Sequence, residues 1–165
     1  MYADRTLKIT IIEDDSQMRE MIKDFFLSKY PLSDVSTFAT GEEAFNKMTT
    51  LQDLIILDYN LDSVDPAAMN GLQVLKRLKE KYPNLPVIIL SGLEKTEVAA
   101  NTMKYGAWDY IIKNESAFLR LEIHMANILG NVDLKKNLGT QKFFNRLLAV
   151  LMLGLIIGMI VMRMG

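Results

Sequence analysis

Three carboxylates, a hydroxyl and an amine stand out in this 165-residue chain because each follows a short apolar run. Leu7–Ile12 leads into Glu13 and Asp14, Leu54–Leu57 into Asp58, Val87–Leu90 into Ser91, and Tyr110–Ile112 into Lys113. Clustered carboxylates repel one another and favour a hard divalent cation. Mg²⁺ suits such a set because it takes a few carboxylates and keeps several waters. A carboxylate can also attack phosphorus and form an aspartyl phosphate. The phosphoryl oxygens then need neutralising charge, which a metal, an ammonium and a hydroxyl donor can share. Ser91 and Lys113 are of the right types for that task. Each residue alone has a plainer reading: Asp58 as a strand-to-loop exit, Lys113 as a structural ion pair with the acids. Convergence on one point is what separates the two readings.

Convergence depends on the elements that carry these residues. Leu54–Leu57 is an unbroken aliphatic run, the pattern of a strand buried on both faces of a parallel sheet. Leu7–Ile12, Val35–Phe38, Val87–Leu90 and Tyr110–Ile112 supply the other strands, the second of them weak. After Ser16, a candidate helix cap, Met18, Met21, Ile22, Phe25 and Phe26 fall on one helical face, and Pro31 ends the helix. Gly41 opens a short helix with Ala44, Phe45 and Met48 inward, and Asn70-Gly71 opens another with Leu72, Leu75 and Leu78 inward. A helix over 95–104 closes at Gly106, and a last one starts near Ser116 and runs past Leu129. Repeated strand–helix alternation predicts an α/β fold around a parallel sheet with right-handed crossovers. Ligands of such sheets bind beyond the carboxyl ends of the strands, where all five polar residues stand.

Composition narrows the function classes. Net charge is -1, so no broad basic surface argues for nucleic acid. The absence of cysteine excludes disulfides, thiolate metal sites and cysteine nucleophiles. The N-terminus lacks the apolar core of a secretory signal. Apolar residues concentrate instead in Leu147–Met162, an unbroken run. Crossing a bilayer takes about 20 apolar residues, a length approached if Phe143 and Phe144 join the run. A buried core helix is the competing reading, but this segment has no polar face. The expected division is a domain at 1–130, a linker at 131–142 and a C-terminal transmembrane helix at 143–163. Lys135, Lys136, Lys142 and Arg146 precede the apolar run and Arg163 follows it. That bias places the domain in the cytoplasm, held at the inner membrane by a single-pass anchor. Gly154 and Gly158 have the spacing that lets two membrane helices pair, so a homodimer is an open expectation.

With these residues in place, the sequence resembles the receiver domain of bacterial response regulators, the CheY-like family. The matching pieces are Ile-Ile-Glu-Asp-Asp (11–15), Leu-Asp-Tyr-Asn (57–60), Ile-Leu-Ser-Gly (89–92) and Tyr-Ile-Ile-Lys (110–113), across about Leu7–Leu129. The resemblance implies a flavodoxin-like, doubly wound five-stranded parallel sheet of order 2-1-3-4-5. It implies Asp58 as phosphoacceptor for a histidine kinase or phosphotransfer protein. Glu13, Asp14, Asp58 and the backbone carbonyl of Asn60 form the implied Mg²⁺ set. Ser91 would bind the phosphoryl group, Tyr110 would be the aromatic switch, and Lys113 the site lysine. Such a chain is a switch that binds a downstream protein rather than an enzyme, beyond its own self-catalysed phosphorylation and dephosphorylation.

The sequence departs from the family pattern in several places. Asn114 follows the lysine where proline, often cis, is usual. Asp62 stands where proline is common. The loop from Asp58 to Gly71 is about five residues longer than usual, and long loops beside a site tend to be functional. A membrane segment replaces the usual output domain. A receiver-like scaffold without phosphorylation is one alternative. A haloacid dehalogenase-type phosphatase is another, weakened because Asn60 stands where those enzymes carry a second aspartate. His124 reads as a helix-surface residue, and the glycosylation sequon at 114–116 would be silent in a cytoplasmic domain.

Overall fold

The computed structural model describes residues 6–62 and 67–128. The expected linker, the expected membrane helix and the Gly154/Gly158 pair lie outside them. Among the described residues no helix is long and apolar enough to cross a membrane. The chain divides into two units, and the one ending at Glu122 holds the entire sheet.

Its elements alternate as the sequence predicts: β1 (Lys8–Ile12), α1 (Ser16–Lys29), β2 (Asp34–Phe38), α2 (Gly41–Lys47), β3 (Leu54–Asp58), α3 (Gly71–Lys81), β4 (Val87–Ser91), α4 (Thr96–Lys104) and β5 (Asp109–Ile112). Residues 117–128 are helical and are called α5. The strands form one parallel sheet of order β2-β1-β3-β4-β5. β3 and β4 are buried along their whole length, as expected of central strands covered on both faces. β2, the weak strand of the sequence, is a half-buried edge. On one face Ile12, Ile55, Leu57, Val87 and Ile89 pack with Ala44 of α2 and Val74, Leu75 and Leu78 of α3. Each such side chain contributes roughly 1.5–3 kcal/mol on burial.

The register sets the heights of the site residues. Asp58 pairs with Leu90 and Ser91 with Ile112, so both polar residues are the last rungs of their strands. Being in the ladder holds their backbones, and only the side chains remain free to turn.

Helix starts differ in detail from the sequence reading. Asp15, not Ser16, caps α1: its Oδ1 accepts from Gln17 N (2.8 Å) and Met18 N (3.1 Å). A carboxylate there satisfies two end amides and opposes the positive end of the helix dipole, which a hydroxyl one residue later cannot match. α1 ends at Lys29, with Tyr30 N–H on Phe26 O, one residue before Pro31. On α3 the buried face includes Val74, whereas Leu72 is only half-buried. Asn70 and Gln73 form a capping box at its start.

Gly71 explains why α3 begins where it does. Its N–H donates to Tyr59 O at 2.9 Å. A Cβ here would overlap the Asp58 carbonyl oxygen and the Tyr59 backbone. Glycine thus lets the helix start directly under the end of β3. Gly71→Ala is expected to cost about 1–3 kcal/mol, because the obstacle is backbone and cannot rotate away. Urea denaturation of the variant and the wild type measures this, and equal midpoints would contradict it.

Candidate functional site

The carboxyl ends of β1, β3, β4 and β5 bring the sequence-selected residues together. Glu13 follows β1 directly, its N–H donating to Phe38 O on β2 at 3.1 Å. Lys113 follows β5, its N–H held by Ser91 O at 2.8 Å. From there its ammonium reaches two acids at once: Nζ lies 2.8 Å from Glu13 Oε2 and 2.9 Å from Asp58 Oδ1. Glu13 is 1% exposed and Asp58 3%. This is the convergence that a strand-exit reading of Asp58 does not supply.

Burial shapes the charges here. Removal from water, reinforced by the nearby Asp58 carboxylate, pushes the Glu13 carboxyl up to about 7, against the opposing pull of Lys113. Burial also disfavours the Lys113 ammonium, but Asp58 and Glu13 outweigh that and hold its pKa above the usual lysine value. Lys113 is therefore charged throughout the physiological range.

Glu13, Asp14 and Asp58 each offer a carboxylate oxygen, and these oxygens lie within 4.8 Å of one another. Three acids against one ammonium leave an excess of negative charge on hard oxygen donors. That donor set fits a hard divalent cation such as Mg²⁺. Asn60 stands half-buried two residues beyond Asp58. Asp62 is exposed and is not one of the converging acids, so the site forms without it.

Ser91 and Tyr110 meet at a residue the sequence did not mark. The fully buried Ser91 accepts at Oγ from Leu93 N (3.0 Å), and the Tyr110 hydroxyl donates to Leu93 O (2.6 Å). The two side chains thus hold one residue by its amide and its carbonyl. Leu93 takes part through its backbone, so its residue type gives no signal.

Asn114 accounts for the missing proline. Its N–H donates to Ile112 O at 2.9 Å, a bond proline cannot make. Its Oδ1 accepts from Ser116 N (3.0 Å) and Ser116 Oγ (2.8 Å), and its carbonyl accepts from Ala117 N (3.0 Å). The amide side chain sets the turn into α5 by hydrogen bonds rather than by a ring. Among the described residues no peptide bond is cis.

Comparison with known families follows the same residues. The family model for the response regulator receiver domain matches residues 9–123. The chain belongs to the response regulator receiver family. The receiver is 38% identical over 114 residues to a protein-glutamate methylesterase/protein-glutamine glutaminase of Geobacillus kaustophilus, matching 66% of this chain and 30% of that one. It is 31% identical over 114 residues to the probable C4-dicarboxylate response regulator DctR of Halalkalibacterium halodurans, matching 68% of this chain and 47% of that one. The chain therefore spans less than half the length of either relative. Among solved structures, the BeF3-activated DrrB receiver domain superposes with a TM-score of 0.66 at 25% identity, covering 76% of this chain and 99% of that one. The receiver domain of the Francisella response regulator 1452 gives 0.65 at 28% identity, covering 77% and 99%. The receiver thus has the sheet order that its resemblance implied, and its class is the phosphoacceptor module of two-component signalling.

Proposed function

We propose that Asp58 accepts a phosphoryl group from a histidine kinase or phosphotransfer protein, with Mg²⁺, and that the modified receiver then changes its protein partner. The observation that carries this reading is Lys113 paired at once with Glu13 and Asp58 at the joined ends of three strands. In the transfer, an Asp58 carboxylate oxygen forms the new bond to phosphorus while the bond from phosphorus to the donor's imidazole nitrogen breaks. Lys113 supplies an ammonium beside the acceptor oxygen. Ser91 turns its hydroxyl from Leu93 N–H to a phosphoryl oxygen. Glu13, Asp14, Asp58 and the carbonyl of Asn60 would hold Mg²⁺, which would supply charge to neutralise the phosphoryl group. Loss of the Ser91–Leu93 bond frees the Leu93 segment, and Tyr110, anchored on Leu93 O, follows it. The chain is then a substrate and switch, not an enzyme acting on others.

The test uses the 165-residue chain with acetyl phosphate and intact mass as the readout. One phosphoryl group is expected with Mg²⁺ and none in EDTA. No uptake under either condition favours a receiver-like scaffold, and equal uptake in both removes the metal from the scheme.

The second part of the proposal is a cytoplasmic-membrane tether through 143–163, supported by the apolar run from Leu147 and the basic residues before it. The chain is expected to pellet with membranes and resist carbonate extraction, and a variant lacking 143–163 to be released. Full recovery of the intact chain in the soluble fraction would end this part.

A further inference from the structure

The β1 ladder ends at Ile12, which pairs with Phe38 on one side and Leu57 on the other. The next two residues, Glu13 and Asp14, carry two of the three converging carboxylates on backbone beyond the sheet. Carbonyls past a ladder need other donors. Here a side chain provides them: Arg19 Nη1 lies 2.6 Å from Glu13 O and 3.3 Å from Asp14 O. Arg19 is half-buried on the first turn of α1, its own N–H bonded to the carbonyl of the cap residue Asp15 at 2.9 Å. The helix that begins at the acid pair thus reaches back and holds that pair by its backbone.

We infer that Arg19 is a positioning residue, clamping the Glu13 and Asp14 carbonyls so that their carboxylates face the cation site; this rests on the metal reading above. Turning either peptide would swing the carboxylates that flank it. One guanidinium nitrogen, Nη1, bonded to both carbonyls opposes that turn, and the planar group fixes the directions of its two N–H donors. Arg19 bonds the backbone carbonyls of Glu13 and Asp14, not the carboxylate oxygens that would hold the cation.

Charge and geometry make opposite demands on the outcome. A cation near a metal site repels the metal, so on charge alone the loss of Arg19 tightens Mg²⁺ binding. Loss of positioning weakens it. Groups that orient metal ligands typically change affinity by roughly 10–100-fold when removed. Calorimetric titration of the 165-residue chain with Mg²⁺ is the measurement, with Arg19→Gln and Arg19→Lys beside the wild type. Arg19→Gln is expected to bind at least about tenfold more weakly, within that range. Arg19→Lys, which keeps the charge on a shorter side chain without the planar donor group, falls between. Phosphoryl uptake by both variants recovers to near the wild-type level at saturating Mg²⁺, because only occupancy has changed. Unchanged or tighter binding in the variants overturns the inference, even if their melting temperatures fall. If Arg19→Gln does not fold, Arg19→Lys decides alone. A wild type that binds no Mg²⁺ overturns the metal reading itself, and this inference with it.

Discussion

Asp58→Asn is expected to take up no phosphoryl group from acetyl phosphate at saturating Mg²⁺, where the wild type takes up one. Asparagine has nearly the volume of aspartate and keeps an oxygen to accept from Lys113, so the 3%-exposed position stays filled. A carboxamide is not a nucleophile toward phosphorus, and the acceptor chemistry disappears while the packing remains. The variant should stay folded, because relieved repulsion with Glu13 offsets the charge pairing lost with Lys113. Asp58 is one of the causes that push Glu13 up to about 7, second only to burial, so removing its charge relieves a repulsion. Loss of uptake with a retained fold therefore separates lost chemistry from lost fold. Glu13 and Asp14 are the other carboxylates within reach of the same point. Labelling of Asp58→Asn equal to the wild type would move the acceptor to one of them.

The parts legible in the sequence were those that side-chain type and period encode. Four aliphatic residues before Asp58 marked a doubly covered strand, and β3 is buried throughout. Glu13, Asp14, Asp58, Ser91 and Lys113 could be chosen because each broke an apolar run with a reactive group. Sheet order was not contained in any periodicity; it came with the family resemblance, and the hydrogen-bonded order agrees.

What stayed hidden depends on backbone. Asp15 and Ser16 are both good caps, and only the chain's path into α1 decides which side chain reaches Gln17 and Met18. Arg19 and Leu93 have carbonyls or amides as partners, which no pattern of residue types reveals. On α3 the regular leucines drew attention from Val74, whose placement follows from the helix's rotation against β3. Asn114 was visible as a missing proline, but its replacement hydrogen bonds appear only once Ser116 folds back onto it. The raised Glu13 carboxyl belongs to the same class, since it arises from burial and from Asp58, distant in sequence.

That Glu13 carboxyl leads to the largest stability effect expected of this chain. In EDTA, the wild type should be more stable near pH 5 than near pH 8. Glu13 titrates at about 7 in the fold against an ordinary value of 4.5, so the folded state binds the proton more tightly than the unfolded chain. Its contribution is complete below pH 4.5 and is lost as pH rises through 7. A shift of that size corresponds to roughly 3 kcal/mol as an upper limit. The other displaced groups of the site region do not compete within this window. Lys113 is raised above 10.5, so its contribution is complete across the range and is lost only in alkali. Asp15 and Glu43 are lowered, so theirs are complete above 3.8 and 4.5 and are lost in acid. Glu13→Gln mimics the protonated acid and should flatten the profile, leaving the variant more stable than the wild type at pH 8. Urea midpoints from pH 5 to 8 for both proteins decide the matter, and parallel profiles would refute it. Adding Mg²⁺ should reverse the wild-type slope, because a cation binds the ionised carboxylates and stabilises the fold most where Glu13 has lost its proton.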